Sequence, residues 1–387
     1  MVASAGVLNA KGADSTDRYR VTVDQYSHFQ RWGYLIVPQL ILPEEVAELR
    51  EHTEQLLQGI LPQQTSAMAD RDLSKDTGST TQRLEAPPAH LSPEEKAQFF
   101  LRIHMLHRKL ELHERYMLHA RVLDVLEVII GPDVLALQTM LFLKPPGKPG
   151  QGWHQDSYFI PTHPDTLCGA WIAIDDCDEH NGAMWMAKGS GSEPVYPPCP
   201  EVSYGFGDKL VSDIKYVKGV SNSDDSKNHL TPIADKYDQV LILAKAGDVV
   251  FFNGHILHRS KANLTKDRPR RSFVGHYCNA RSFTQWGDDD EAEVIRDAST
   301  KMTNGSHILA RGDTHLPFAL PRFGTHCAAT LPTEQRRLQG EYAAHMIALS
   351  GDGLMGCAIA DPGLKDDDEE LAIRPATGQS ECVSDSM

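Results

Sequence analysis

The feature that most constrains this chain is a change of texture at Val134. From there to about Phe283 the sequence breaks into short apolar segments: "VLALQTMLFL", "GWHQDSYFI", "CGAWIAIDD", "GAMWMAK", "VLILAKAGDVVFF" and "RRSFVGHYCNA". Turn signals separate them, among them His180-Asn181-Gly182, Lys188-Gly189 and Ala246-Gly247-Asp248. Many short strands joined by loops must dispose of their open edges, and the common solutions are a closed barrel or a jelly roll. Helical signals lie before this region. "VTVDQYSHFQRWGYLIVPQLI" reads as a short helix and then a strand. "LPEEVAELREHTEQLLQGI" reads as a helix with Pro43 in its first turn and Val46, Leu49, Thr53 and Leu56 on one face. "SPEEKAQFFLRIHML" reads as a helix opened by Ser92, Pro93 and Glu95 in a capping box. "RVLDVLEVIIGPD" reads as another, stopped at Gly131-Pro132. The expected class is mainly β with flanking helices.

Four regions follow: a flexible leader at 1–20, a principal domain at 21–286, a C-terminal extension at 287–363 and an acidic tail at 364–387, expected to be disordered. "LPTEQRRLQGEYAAHMIAL" in the extension reads as one late helix. The polar stretch 61–91 lacks periodicity, and a loop that long is expected to be either disordered or a functional lid. No apolar run reaches the roughly 18–20 residues of a membrane span, and no secretory signal is evident at the start. A net charge of −15 argues against nucleic acid or an anionic membrane as the main partner. The seven cysteines are odd in number and form no CxxC pair, which points to reduced thiols in a cytoplasmic protein.

Chemistry concentrates in two segments. In "GWHQD", His154 and Asp156 stand two apart on an expected strand and so share one face. An imidazole and a carboxylate together suit a divalent metal, although an isolated HxD is more often a simple hydrogen-bonded pair. About a hundred residues on, "AGDVVFFNGHILHRSKANLTKDRPRR" places His258 at a strand end and Arg270 at the start of the next strand. Two histidines and one carboxylate form a facial triad with open positions for a cosubstrate and oxygen. The permanently charged fork of an arginine suits a carboxylate. The parts imply iron(II) and a dicarboxylic cosubstrate, 2-oxoglutarate.

On these residues the chain resembles the phytanoyl-CoA dioxygenase family of iron(II)/2-oxoglutarate-dependent oxygenases. The likeness runs from about Tyr26 to Phe283 through "FQRWGYLIVPQLILPEEVAELR", "QTMLFLKPPGKPGQGWHQD", "CGAWIAIDDCDEHNGAMWMAKGS" and "GDVVFFNGHILHRSKANLTKDRPRR". It implies a double-stranded β-helix, a cupin-like jelly roll, with helices packed outside. It implies His154, Asp156 and His258 as iron ligands. Arg270 and Ser260 would bind the remote carboxylate of 2-oxoglutarate, with Arg271 a rival for Arg270. Trp171 and Met140 would line the cosubstrate pocket, and Arg102 would reach it from the helical region. Gln138, Trp153, Tyr158 and His276 are candidates to face substrate, each also readable as packing. His255 reads as a surface group. Gly191 stands where many members have a histidine, so the substrate is expected to differ from that of the best-known member. The implied reaction hydroxylates an unactivated C–H of a small organic substrate, with release of succinate and CO2, by a monomer or homodimer using O2. Alternatives remain at this stage: desaturation or cyclisation in place of hydroxylation, a zinc hydrolase, or a jelly-roll protein that binds a small molecule, with or without metal, and does not oxidise it. A halogenase is disfavoured because Asp156 is present.

Overall fold

The protein was analysed as a computed structural model, which describes residues 18–61, 67–69, 82–84, 89–108, 110–196, 219–284, 307–314 and 320–321. Two sheets face each other. The larger runs, in spatial order, through Tyr34–Val37, Val249–Asn253, Cys168–Ala173, Ser272–Asn279, Val134–Phe142 and Arg102–His104, and continues through Ala67–Ala69 and Gln82–Leu84. The smaller runs through Gln239–Leu241, Met184–Ala187, His258–Ser260 and Gln151–His154. All of these pairings are antiparallel.

Period-two alternation builds the layers. On the larger sheet Phe251, Ile172, Phe273 and Leu141 point outward, into a core shared with Leu49, Tyr116, Val122 and Leu126 of the flanking helices. The intervening Phe252, Trp171, Val274 and Met140 point inward, against Met184, Met186 and Ile256. Each such fully buried large side chain contributes about 1.5–3 kcal/mol over an exposed one. The outer face of the smaller sheet is closed by Trp153, Tyr196, Leu230 and Ile233. This is the double-stranded β-helix with external helices that the sequence led us to expect. No helix among the described residues is long and apolar enough to cross a membrane.

The helices at Val23–Trp32, Pro43–Leu57 and Ala120–Ile129 lie where periodicity puts them. Four expectations need correction. The helix opened by the Ser92 capping box ends at Ala97, and Arg102–His104 is a strand hydrogen-bonded beside Val134–Phe142. "FFLRIHML" is apolar enough for either state, and the sheet edge decides. Within the stretch read as an unstructured lid, Ala67–Ala69 and Gln82–Leu84 pair with each other and extend the larger sheet. The leader is fixed at its end: Arg18 pairs with Asp124 and Glu127. The principal fold also does not stop at 286, because Ile308–Arg311 pairs with the start of Val134–Phe142 and buries Ile308 and Ala310 in the core. The late helix and the acidic tail lie outside the described residues.

Candidate active site

The strand Gln151–His154 enters the interior between two glycines. A Cβ on Gly150 would stand 1.9 Å from the Ser260 carbonyl oxygen, and one on Gly152 would stand 1.7 Å from that of Asn222. Only hydrogen fits at either position, so two neighbouring backbones close directly over the strand. The strand ends at His154 rather than running on through "DSYFI", and Asp156 opens a 3-10 turn, Asp156–Tyr158. Gln155 between them is extended, at φ −120° and ψ 134°. That one extended residue keeps His154 and Asp156 on a common side, so the inference from spacing survives although the element differs.

Register then supplies the partner. His258 lies directly opposite His154, with ring centroids 4.1 Å apart. Asp156 Oδ1 is 3.8 Å from His154 Nε2 and 3.7 Å from His258 Nε2. One ligand atom from each of the three residues lies within 4.8 Å of the other two. The tautomers suit a metal. His154 Nδ1 is 2.8 Å from the Gly152 carbonyl, and His258 Nδ1 is 3.1 Å from that of Ile256. A carbonyl only accepts, so each Nδ1 carries the proton and each Nε2 keeps its lone pair for the centre. The Gln151 side-chain amide, 3.1 Å from His154 Nε2, treats that nitrogen as an acceptor. Burial, reinforced by His258, pushes the His154 imidazole down to about 3. Burial acts to raise the Asp156 pKa, but His258, the hydrogen bond from His276 and His154 together hold it well below the usual carboxylate range. Two neutral imidazoles and one carboxylate are the donor set that iron(II) requires in a facial triad, so the residues fit that metal.

The second oxygen of Asp156 is engaged separately. His276 Nε2 is 3.0 Å from Asp156 Oδ2, and the Gln138 amide nitrogen is 3.0 Å from His276 Nδ1. The amide donates to Nδ1, which leaves the Nε2 proton for Asp156. Gln138 and His276 thus meet the ligand carboxylate from the larger sheet.

Arg270 and Arg271 part company. Arg271 turns to Asp175 and Glu54, forming ion pairs with both. Arg270 is 3% exposed, its Nε has no partner among the described residues, and its guanidinium lies 5.8 Å from the centroid of the Trp171 ring. The guanidinium donates a hydrogen bond to Ser272 Oγ at 3.3 Å. Burial lowers the pKa of this guanidinium. Such a buried cation without an ion pair fits an incoming carboxylate. Met140 shares the inward face with Trp171. Arg102 stands opposite Phe142 in register, and its charge is felt at His154. Ser260 Oγ accepts hydrogen bonds from Lys144 Nζ at 2.7 Å and from the Gln151 backbone amide at 3.2 Å.

Two residues expected near substrate lie elsewhere. Trp153 is fully buried on the outer face of the smaller sheet, under the Arg259 guanidinium, because strand neighbours alternate and His154 takes the inner face. Tyr158 packs against that same outer cluster. The ring that does approach His154 is Phe159, with centroids 6.2 Å apart. His255 is held by Asp165 and the Glu193 carbonyl, away from the ligand set. A Cβ at Gly191 would come 2.5 Å from the Asn253 amide, so Asn253 fills the space a side chain would use. Sequence reasoning missed Lys144. The signal for Lys144 was a charge interrupting the apolar run "MLFLKPP".

Comparison with known proteins agrees with this geometry. Residues 29–272 match the sequence profile of phytanoyl-CoA dioxygenase (PhyH). The human peroxisomal phytanoyl-CoA dioxygenase is 24% identical over 271 residues, covering 68% of this chain and 70% of that protein. An ectoine dioxygenase of Stutzerimonas stutzeri (strain A1501) is 25% identical over 272 residues, covering 67% of this chain and 78% of that one. Among solved structures, the non-heme alpha ketoglutarate dependent carbocyclase SnoK from nogalamycin biosynthesis shares the fold at a TM-score of 0.50 and 17% identity, over 71% of this chain and 91% of that chain. With the profile spanning more than half of its length, the chain belongs to the phytanoyl-CoA dioxygenase family of iron(II)/2-oxoglutarate-dependent oxygenases.

Proposed function

We propose that the protein is an iron(II)- and 2-oxoglutarate-dependent dioxygenase that hydroxylates an unactivated C–H of a small organic substrate, with His154, Asp156 and His258 as the metal ligands. The observation that carries this reading is the convergence of three ligand atoms within 4.8 Å, with both imidazoles fixed in the tautomer that frees Nε2. When bound, iron(II), 2-oxoglutarate and O2 supply the oxidising power, and the cosubstrate leaves as succinate and CO2. The chain supplies position and dryness. Arg270 offers its planar fork to the remote carboxylate, and the Ser260 hydroxyl completes that end. Trp171 and Met140 wall the pocket with apolar surface and exclude water. His276 holds Asp156 by Oδ2, so Oδ1 stays turned toward the metal, and Gln138 holds the tautomer of His276. Arg102 contributes positive charge at the rim. Gln138 and Phe159 are the side chains we place nearest the substrate.

The relatives act on unlike molecules, an acyl thioester and ectoine by their names. The filled space at Gly191, where many members have a histidine, supports a substrate distinct from the thioester. Cys168, Cys177 and Cys278 are free and buried, which supports a reducing, cytoplasmic setting. We take the working unit to be a monomer or homodimer. Anaerobic addition of iron(II) and 2-oxoglutarate should give a visible charge-transfer band that Asp156→Ala abolishes. A wild-type protein that gives no band, retains zinc and is indifferent to 2-oxoglutarate would overturn the reading.

A further inference from the structure

Lys144 is a buried cation that lies at neither the metal nor the protein surface. It is 7% exposed and follows the last residues of the Val134–Phe142 strand. Its Nζ is 2.7 Å from Ser260 Oγ, 2.7 Å from the Lys261 carbonyl and 3.4 Å from the Gly182 carbonyl. An ammonium has three N–H donors, and these three oxygens use all of them. Its own backbone carbonyl accepts from the Arg270 amide at 3.1 Å, which ties it to the segment that carries the buried guanidinium and leads into the Ser272–Asn279 strand. Neither Lys144 nor Arg270 forms an ion pair among the described residues, whereas the neighbouring Arg271 forms two. Two buried positive charges side by side with no carboxylate partner are unfavourable until an anion arrives.

The consequence falls on Ser260. A hydroxyl has two acceptor sites and one hydrogen. Lys144 and the Gln151 backbone amide occupy both acceptor sites. The Ser260 hydrogen is then left for an external acceptor, and no described residue takes it. We infer that Lys144 is a positioning residue that forces Ser260 to act as a donor and adds a second positive charge to the end of the pocket that holds the remote carboxylate. The chain thereby selects 2-oxo acids that carry a second carboxylate. Burial, and after it the charge of Arg270, push the lysine well below its usual range, so the three oxygens around Nζ and an arriving anion are what favour the ammonium. A carboxylate bound beside Arg270 offsets that repulsion, so cosubstrate and ammonium stabilise each other. This inference rests on the proposed 2-oxoglutarate chemistry.

The test is equilibrium binding to the anaerobic iron(II)-loaded protein, read from the visible band. Two ligands are compared: 2-oxoglutarate, and 2-oxobutanoate, which has no remote carboxylate. In Lys144→Met the Kd for 2-oxoglutarate should rise roughly tenfold to a hundredfold, while that for 2-oxobutanoate stays near wild type. Lys144→Gln, which keeps a donor, should recover part of the loss. Against a Ser260→Ala background the Lys144→Met effect should shrink, because the lysine acts through that hydroxyl. An equal loss for both ligands, or strict additivity with Ser260→Ala, would overturn the inference, as would an unchanged Kd for 2-oxoglutarate. If Lys144→Met does not fold by circular dichroism, the Lys144→Gln and Ser260→Ala cycle decides on the same criteria. A wild-type protein that binds neither ligand fails the function itself, an outcome distinct from any of these.

Discussion

The two oxygens of Asp156 have separate duties, one toward the histidine Nε2 atoms and one toward His276. Removing the His276 bond should loosen the carboxylate without deleting a ligand. His276→Phe is expected to weaken iron(II) binding about 10–100-fold, measured by competition with a metallochromic chelator. Unchanged affinity would show that the 3.0 Å contact is incidental. The three candidate ligands were legible because spacing encodes facing: His154 and Asp156 are two apart, and His258 follows an apolar strand. The role of His276 was not legible, since its partner lies 120 residues away on the opposite sheet. Trp153 was misplaced although the alternation that gives His154 the inner face also gives its neighbour the outer one. Lys144 reads as an ordinary strand-end lysine, and only the long-range approach of Ser260 and Gly182 makes it buried.

At the scale of elements, the Ala120–Ile129 helix shows how far the fold depends on chain beyond the repeating strands. Asp124 on that helix and Arg311 on the Ile308–Arg311 strand are each 3% exposed and are joined at 3.0 Å. Arg311 also meets Glu127, and Arg18 reaches both acids from the other terminus. Asp124→Ala strips the buried carboxylate from a buried guanidinium. It should cost about 3–5 kcal/mol in urea unfolding; a loss below about 1 kcal/mol, the size of an exposed pair, would mean the cluster is solvated. Truncation after Thr284 should likewise lower the melting temperature, because it removes Ile308 and Ala310 from the core. Helices with a clear apolar stripe were readable in advance. The Ser92 helix was overextended because "FFLRIHML" carries no period that separates helix from strand, and hydrogen bonding to a distant strand settled it. The Ile308–Arg311 strand went unseen for the same reason: four residues hold too little pattern without the edge they complete.

For the molecule as a whole, acid should be a greater threat than the net charge of −15 suggests. His113 is fully buried, both its ring nitrogens lack hydrogen-bond partners among the described residues, and its ring lies tilted against that of His52 with centroids 5.1 Å apart. Burial pushes His52 down to about 4, with Glu48 opposing and Arg115 adding to the shift. Burial, with His52 and His107 nearby, takes His113 well below the ordinary imidazole range. In the unfolded chain both protonate near pH 6.5. The unfolded state therefore binds more protons below that value, and stability falls as pH drops from about 6.5 toward 4. Thermal melts across that window should show the decline, and His52→Gln should flatten it; a flat wild-type profile would contradict the assignment. The class of fold, a closed barrel or jelly roll, was readable at this scale from strand texture, while the pairing that joins its two layers across the site was not. That pairing gives the Asp156–His276 bond a further meaning. It is a clasp between two layers that meet largely through apolar side chains, with two candidate ligands on one layer and the anchor of the third on the other. Loading the centre should therefore stiffen the sandwich as a unit: amide deuterium uptake should slow together in Gln151–His154 and Ser272–Asn279, so that occupancy of one small site is felt as backbone rigidity on both sides of the barrel.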